Sequence, residues 1–437
     1  VTPELADFLA RTNPWLQDPA RLARLARHNL PPKWIPRLAT EDLDQVLEDP
    51  RKAHLLVGPR QAGKSSLTWA MLTRRSEPLL YVPCDNALIE EWSRNPHLAA
   101  LDIAALVPVG GRVFLEEAQA LTEAGRFIKG LIDARIARPL VATGSASFHL
   151  LSRTRESLAG RATRHHLWPL SLAEVAAPIQ AEPPALFHQR RRRAIEGMML
   201  FGGYPEAWTA PEPQPVLSEL VDAFVLRDAS DRFRVGHPGA FRRLLGLAAG
   251  QIGQVVNHSE WGRVLGISST TVSDYLTILE ETHILRRPRP YVGGKRAELT
   301  RAPKVFFVDN GLRNQLRGGF TELERRADVG PLHENLVFSE LVKRFTRPGS
   351  IRCWRTSNGA EMDFVLEPEP ERLIGIEVKA STEARPRLPR GCRSFISAYA
   401  PEQFWMVTRG PAWEDTLGQT RLRGVPLELL PEALDAL

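Results

Sequence analysis

Nine consecutive residues, Gly58-Pro59-Arg60-Gln61-Ala62-Gly63-Lys64-Ser65-Ser66, have the composition of a device for holding phosphate. Gly58 and Gly63 admit backbone angles that other residues resist, so successive N–H groups can turn inward around an anion. Lys64 then reaches the outer phosphates, and the Ser65 hydroxyl is placed to ligate Mg²⁺. The apolar run Leu55-Leu56-Val57 ahead of the loop reads as a strand, and the stretch after it as a helix whose positive end adds to the anion site. ATP and Mg²⁺ are the ligands this spacing calls for.

Two further stretches supply what a phosphate-transfer site needs besides a cradle. Val113-Phe114-Leu115 runs into Glu116 and Glu117. The first carboxylate would hold the Mg²⁺ shell, and the second would polarise the attacking water. Aspartate is commoner at the first position, and the extra methylene of Glu116 predicts a shifted metal geometry and slower hydrolysis. Leu140-Val141-Ala142 runs into Thr143-Gly144-Ser145 at what reads as the carboxyl end of a strand, where ligands sit in parallel sheets. Thr143 and Ser145 can sense the γ-phosphate through the attacking water, although turn chemistry accounts for Ser145 equally well.

A second constellation lies near the C-terminus. Glu334 falls on a helical pattern (Leu332, Leu336, Val337, Leu341), and Asp363 falls in the strand-like Glu361-Met362-Asp363-Phe364-Val365-Leu366. Glu377 and Lys379 share one face of the strand-like Leu373–Lys379, because strand side chains alternate with period two. The set resembles the restriction-endonuclease-like core. That likeness implies carboxylates on Mg²⁺ and a lysine that orients or deprotonates the water attacking a phosphodiester. Met362 stands where the pattern often has proline. Both a Mg²⁺-dependent nuclease regulated by the ATP site and a module that only binds remain open.

The elements that position these groups follow from pattern. The 437 residues predict two to four domains, and an apolar content of 43% is ordinary for a globular protein. No window approaches 18 uninterrupted apolar residues, and residues 1–30 are broken by charge and proline, so a cytoplasmic protein without a membrane partner is expected. Cys84, Cys353 and Cys392 fit neither a disulfide framework nor a zinc site. A net charge of +6 permits a polyanionic partner without requiring one. The basic residues comprise eight lysines and 49 arginines, so Lys64 and Lys379 stand out as places where a compact point charge is needed. Residues 1–50 predict short helices, and 51–180 alternate strands (His54–Val57, Leu79–Pro83, Arg112–Leu115, Leu140–Ala142) with helices, the signature of a parallel α/β sheet. Residues 181–235, proline-punctuated and carrying the basic run Arg190–Arg193, read as a helical lid and connector.

Residues 236–310 read as a helix-turn-helix with a wing. Ser259 caps a first helix, Gly266 ends it, Ser268 caps a second, and Val272, Leu276 and Leu279 form the buried side of that second helix. Ile284–Arg289, a Gly293-Gly294 turn and Lys304–Val308 read as a β-hairpin wing made basic by Arg286, Arg287, Arg289, Lys295, Arg296 and Arg301. Ser269, Thr270 and Ser273, with Asp274, would face a DNA groove; subunit packing is the competing use. Residues 311–437 complete the chain as the restriction-endonuclease-like α/β domain.

Taken in order, Gly58-Pro-Arg-Gln-Ala-Gly-Lys-Ser, Phe114-Leu-Glu-Glu-Ala-Gln, Thr143-Gly-Ser-Ala-Ser, Leu158-Ala-Gly-Arg161, Pro169-Leu-Ser-Leu-Ala-Glu174 and Gly202-Gly-Tyr-Pro-Glu206 resemble the bacterial and archaeal AAA+ ATPases that carry a C-terminal domain of unknown function 4143. The resemblance implies an AAA+ core with a helical lid and a homo-oligomer, expected as a hexamer. In such a ring an arginine of one subunit touches its neighbour's nucleotide. Arg161 is the first candidate, with Arg153 and Arg155 as rivals and a plain surface charge as the alternative for each. ATP hydrolysis coupled to binding and remodelling or moving DNA, duplex or branched, is the activity expected; a nucleotide-controlled protein-binding switch is the other class.

Overall fold

The computed structural model describes residues 2–38, 43, 49–72, 74, 77–144, 158–181, 183–223, 235–294 and 303–437. They fall into two compact units, Val1–Trp168 and Pro169–Leu437.

The first unit is built on a parallel sheet of β1 (Ala53–Val57), β2 (Leu79–Pro83), β3 (Arg112–Glu116), β4 (Leu140–Gly144) and β5 (Ala162–His166), in the order β2-β3-β4-β1-β5. Every residue of β1 and β4 is buried, as expected of central strands covered on both faces. Alternation then sorts their side chains. Leu55, Val57, Val113 and Leu115 enter a layer with Phe127 and Ile128 of helix α3, whereas Leu56 and Val141 pack with Leu67 and Met71 of helix α2. Helix α1 is Pro3–Thr12, α2 is Lys64–Leu72 and α3 is Ala124–Asp133. The strands expected from sequence are all present. β5 is an addition: Ala-Thr-Arg-His-His carries no apolar run, and the strand is half-buried at the sheet edge.

The second unit contains the helices between 184 and 223, so the segment read as a lid belongs with the C-terminal elements. Helix α4 (Pro184–Phe201) shows why. Buried Arg191 makes a two-pronged ion pair with Glu432, and Asn314 donates to the carbonyls of Met199 and Leu200. The motif Gly202-Gly-Tyr-Pro has a similar structural cause. Gly202 lies at φ +70°, and a Cβ there would come 2.1 Å from Asp309 Oδ1, while Gly203 N donates to Asp309 Oδ2 at 2.6 Å.

Helices α5 (His258–Leu265) and α6 (Ser269–Glu281) form the expected pair. Gly266, at φ +70°, ends the first and Ser268 caps the second through Thr271 N. The first cap is Asn257, not Ser259, because the helix begins one residue earlier than the serine. Strands β6 (Leu285–Arg286) and β7 (Phe306–Phe307) then pair antiparallel. They do not project as a free wing: Phe306 is fully buried, stacked on Phe338 at 4.5 Å and beside Phe364 at 5.2 Å.

Helix α7 (Asn310–Arg317) and helix α8 (Val329–Arg344) lead into a mixed sheet. Its strands are β8 (Ile351–Arg355), β9 (Glu361–Leu366), β10 (Ile374–Val378), β11 (Gln403–Thr408), β12 (Trp413–Leu417) and β13 (Thr420–Pro426), in the order β12-β13-β11-β10-β9-β8. Helix α9 (Arg390–Tyr399) supplies Phe395 and Ile396 to the core with Trp354, Met362 and Phe404. Among the described residues no helix is long and apolar enough to cross a membrane.

Candidate functional site

Because β1, β3 and β4 run parallel, the residues that follow them arrive at one edge of the sheet. Gly58 begins the loop after β1 with no room for a side chain, since a Cβ would meet the Leu167 carbonyl oxygen at 2.0 Å. Gln61 and Gly63 take left-handed angles, φ +57° and +90°, which turn the chain into α2. Pro59 and Ala62 are buried, Arg60, Ser65 and Ser66 are half-buried, and Gln61 is exposed. Lys64 is buried at the first helical position, with Nζ donating back across the loop to the carbonyls of Gly58 (3.1 Å) and Pro59 (2.6 Å). The start of α2, a buried ammonium and the Ser65 hydroxyl together make a donor set suited to a polyphosphate with its metal.

Glu116 ends β3 and accepts a 2.5 Å hydrogen bond from the Tyr81 hydroxyl of β2. Glu117 follows at φ +52°, a left-handed conformation that costs a non-glycine residue about 1–3 kcal/mol and is found where the fold over-determines it. Its N–H donates to Thr143 Oγ1 at 3.2 Å, and its carboxylate accepts from Gln119. Thr143 is fully buried. The loop, Glu116, Glu117 and Thr143 therefore share one edge.

Arg161 does not. Its carbonyl accepts from Ala53 N, at the start of β1, about 13 Å along the strand from the loop, and its guanidinium pairs with Asp133 at 2.6 Å. Ser145, Arg153 and Arg155 lie outside the described residues.

The second unit brings the C-terminal candidates together, with an addition. Glu377 Oε1 pairs with Lys379 Nζ at 2.6 Å, and Asp363 Oδ2 accepts from Val378 N at 2.9 Å. Lys304, read from sequence as part of a wing strand, points inward instead. Its Nζ lies 3.2 Å from Glu334 Oε1 and 3.7 Å from Asp363 Oδ1. Burial, reinforced by the charge of Asp363, pushes Glu334 up to about 8 against the pull of Lys304. Burial and the Asp363 charge likewise push Glu377 up to about 6, and burial raises Asp363.

On the helix-turn-helix, Ser269, Thr270 and Asp274 are exposed and Ser273 is half-buried. Two expected wing cations are turned inward. Arg286 bonds the Glu280 carbonyl and His283, and Arg287 pairs with Glu280 at 2.5 Å. Both follow a helix end whose carbonyls and acid lie within one turn, so local satisfaction wins over projection. Arg289 is exposed; Lys295, Arg296 and Arg301 lie outside the described residues.

Three groups carry no periodic signal in the sequence: Tyr81, Lys304 and Arg37. Arg37 is buried and forks to the carbonyls of Ala62 (2.7 Å) and Trp168 (2.6 Å), bracing the phosphate loop. A lone arginine in a proline-rich stretch gives no warning of this.

Residues 50–176 match the AAA domain family, residues 192–323 a domain of unknown function, DUF8612, and residues 329–427 the domain of unknown function DUF4143. An uncharacterized protein of Mycobacterium tuberculosis is 28% identical over 405 residues, covering 89% of this chain and 84% of that one. An uncharacterized protein of Haemophilus influenzae is 28% identical over 254 residues, covering 56% and 60%. Among solved structures, the Walker-type ATPase of Pyrococcus abyssi aligns with a TM-score of 0.44 at 15% identity, over 66% of this chain and 97% of that one. A mutant RuvB of Thermotoga maritima aligns at 0.30 and 16% identity, over 57% and 87%.

Proposed function

From the premise that the chain is an AAA-type ATPase with a C-terminal DUF4143 domain, we propose that it couples ATP binding and hydrolysis to the binding and remodelling or translocation of DNA, duplex or branched. Lys64 neutralises the outer phosphates, Ser65 and Glu116 hold Mg²⁺, and Glu117 acts as the base toward water. Thr143, bonded to Glu117 N, reports the γ-phosphate. When bound, Mg²⁺ would offset charge on the transferring phosphoryl group. The separation of Arg161 from the loop in its own chain suits action on a neighbour's nucleotide, hence a homo-oligomer, with a hexamer the ring expected.

The observation that carries the DNA reading is the α5–Gly266–α6 geometry, with Ser269 and Thr270 open at the start of the second helix. Steady-state ATP hydrolysis with and without duplex, single-stranded and four-way-junction DNA tests it, with Lys64→Ala as the blank. Stimulation by one DNA shape is expected. Equal rates across all of them, with hydrolysis still lost in the blank, would replace this reading by a nucleotide-controlled protein-binding switch.

A further inference from the structure

The likeness of the C-terminal module to restriction endonucleases implies a divalent cation held by Glu334, Asp363 and Glu377. The residues present do not fit one. Oxygens that ligate Mg²⁺ must converge on a point about 2.0–2.1 Å from each. Here the space between Glu334 Oε1 and Asp363 Oδ1 holds the Lys304 ammonium, at 3.2 and 3.7 Å. The remaining Asp363 oxygen accepts from Val378 N and Glu377 Oε1 pairs with Lys379; Glu377 Oε2 is buried without a hydrogen-bond partner among the described residues, but a single such oxygen does not make a Mg²⁺ site. Lys304 is 9% exposed and stands beside β7, whose main chain is clamped to α8 by Asn335: Phe307 N donates to Asn335 Oδ1 at 2.8 Å, and Asn335 Nδ2 to the Phe307 carbonyl at 3.0 Å. The backbone that carries Lys304 is thus held in place, and swinging its buried ammonium away would leave the carboxyl groups without their donor. A dication at the same oxygens would sit against an ammonium with little water between them to screen the repulsion.

We propose that Lys304 is the resident cation of this carboxyl cluster, tying Glu334 by a hydrogen bond and Asp363 by charge where the nuclease-like fold uses a metal, so that the module neither loads Mg²⁺ nor cleaves phosphodiesters. The ammonium supplies one positive charge and hydrogen-bond donors. It has no open coordination position for water, so it cannot generate a hydroxide nucleophile. Lys379, paired with Glu377, orients that carboxylate instead of a water molecule. The proposal is independent of what the ATPase acts on.

The test uses the full-length chain without nucleotide and Mn²⁺ as the probe, followed by isothermal titration and by the loss of free-ion paramagnetic signal. Wild type and Asp363→Asn are expected to take up equal amounts of Mn²⁺. Uptake in wild type that Asp363→Asn removes would overturn the proposal, as would Mn²⁺-dependent DNA cleavage lost in Asp363→Asn and retained in Lys64→Ala. A second arm removes the cation. At pH 9, above the Glu334 value of about 8, Lys304→Met leaves two buried carboxylates without their counter-charge, so its melting temperature there should fall by roughly 5 °C or more. Adding Glu334→Gln should restore at least half of that loss. A Lys304→Met protein as stable as wild type, or one that Glu334→Gln makes worse, refutes the resident-cation role. If Lys304→Met does not fold, the Mn²⁺ comparison of wild type with Asp363→Asn decides alone.

Discussion

The hydroxyl of Tyr81 donates to the carboxylate of Glu116 at 2.5 Å, joining β2 to the acid that ends β3. The tyrosine is fixed at both ends. Its ring packs between Trp69 and Phe114 at 5.0 and 5.7 Å, and Asn13 of the segment after α1 bonds both its N–H and its carbonyl. Burial and the neighbouring Glu116 charge raise its ionisation well above the ordinary range, so it remains a donor at any working pH. A glutamate in place of the commoner aspartate carries one more rotatable bond, and the tyrosine removes that freedom. Tyr81→Phe should raise the Mg²⁺ concentration needed for half-maximal nucleotide retention by about tenfold, the usual scale for losing the partner of a ligating carboxylate. Binding of fluorescent nucleotide against Mg²⁺ measures this. In a Glu116→Asp background the same change should matter little, and equal effects in both backgrounds would refute the coupling.

Arg37 offers a separate handle on the loop. Arg37→Ala strands two buried carbonyls, Ala62 and Trp168, at about 1–3 kcal/mol each. Urea unfolding should show a loss near 3 kcal/mol, together with weaker nucleotide binding. Arg37→Lys should recover little, because a single ammonium cannot reproduce the fork.

The inward and outward basic residues near the helix-turn-helix make opposite predictions. Arg289→Ala should lower the dependence of DNA affinity on log salt by about one unit. Arg287→Ala should leave that slope unchanged and lower stability instead, since its guanidinium is spent on Glu280. Ser269→Glu adds charge where the helix start tolerates acids, so folding is kept while DNA affinity falls. Fluorescence anisotropy across a salt series reads all three.

The carboxylate cluster predicts a pH dependence of stability. In the folded chain Glu334 is pushed up to about 8 from an ordinary 4.5. Between those values the folded form keeps a proton that the unfolded form has released, so stability falls as pH rises through that window. Lys304 acts with the opposite sign: burial works against its charge, but the Glu334 and Asp363 carboxylates outweigh it and raise its pKa. Its contribution is present below its unfolded pKa near 10.5 and is lost only above that. Urea midpoints at pH 5, 6.5 and 8 should decline in wild type, and in Glu334→Gln the fall between pH 6.5 and 8 should largely disappear while Glu377, pushed up to about 6, still contributes below pH 6.5. An identical decline between pH 6.5 and 8 in both would place the proton elsewhere.

What sequence made legible was whatever is local or periodic. The run before Gly58, the acids after Phe114 and the buried stripe Val272, Leu276, Leu279 are all set by neighbours within one turn or one strand. What it concealed were pairings across distance. Nothing in the spacing of Lys304 announces that it will meet Glu334 and Asp363 rather than solvent, and Arg286 and Arg287 have the same composition as outward cations. The motif Pro169-Leu-Ser-Leu-Ala-Glu174 shows the same limit. Leu172 N bonds Glu340 and the Leu170 carbonyl accepts from Lys343, so α8 holds this segment. Those two bonds anchor the motif to α8, a role that its spacing does not announce.

The lysine between Glu334 and Asp363 also sets how the second unit comes apart. The segment leading into β7, helix α8 and strand β9 each contribute one member of a polar set that is satisfied only when all three are in place. Opening any one of them leaves buried charge unmatched in the other two. Amide protons of these three segments, Phe307 among them, and that of Val378 on the adjoining β10, which donates to Asp363, should therefore exchange with solvent deuterium together, through one concerted opening rather than independent ones.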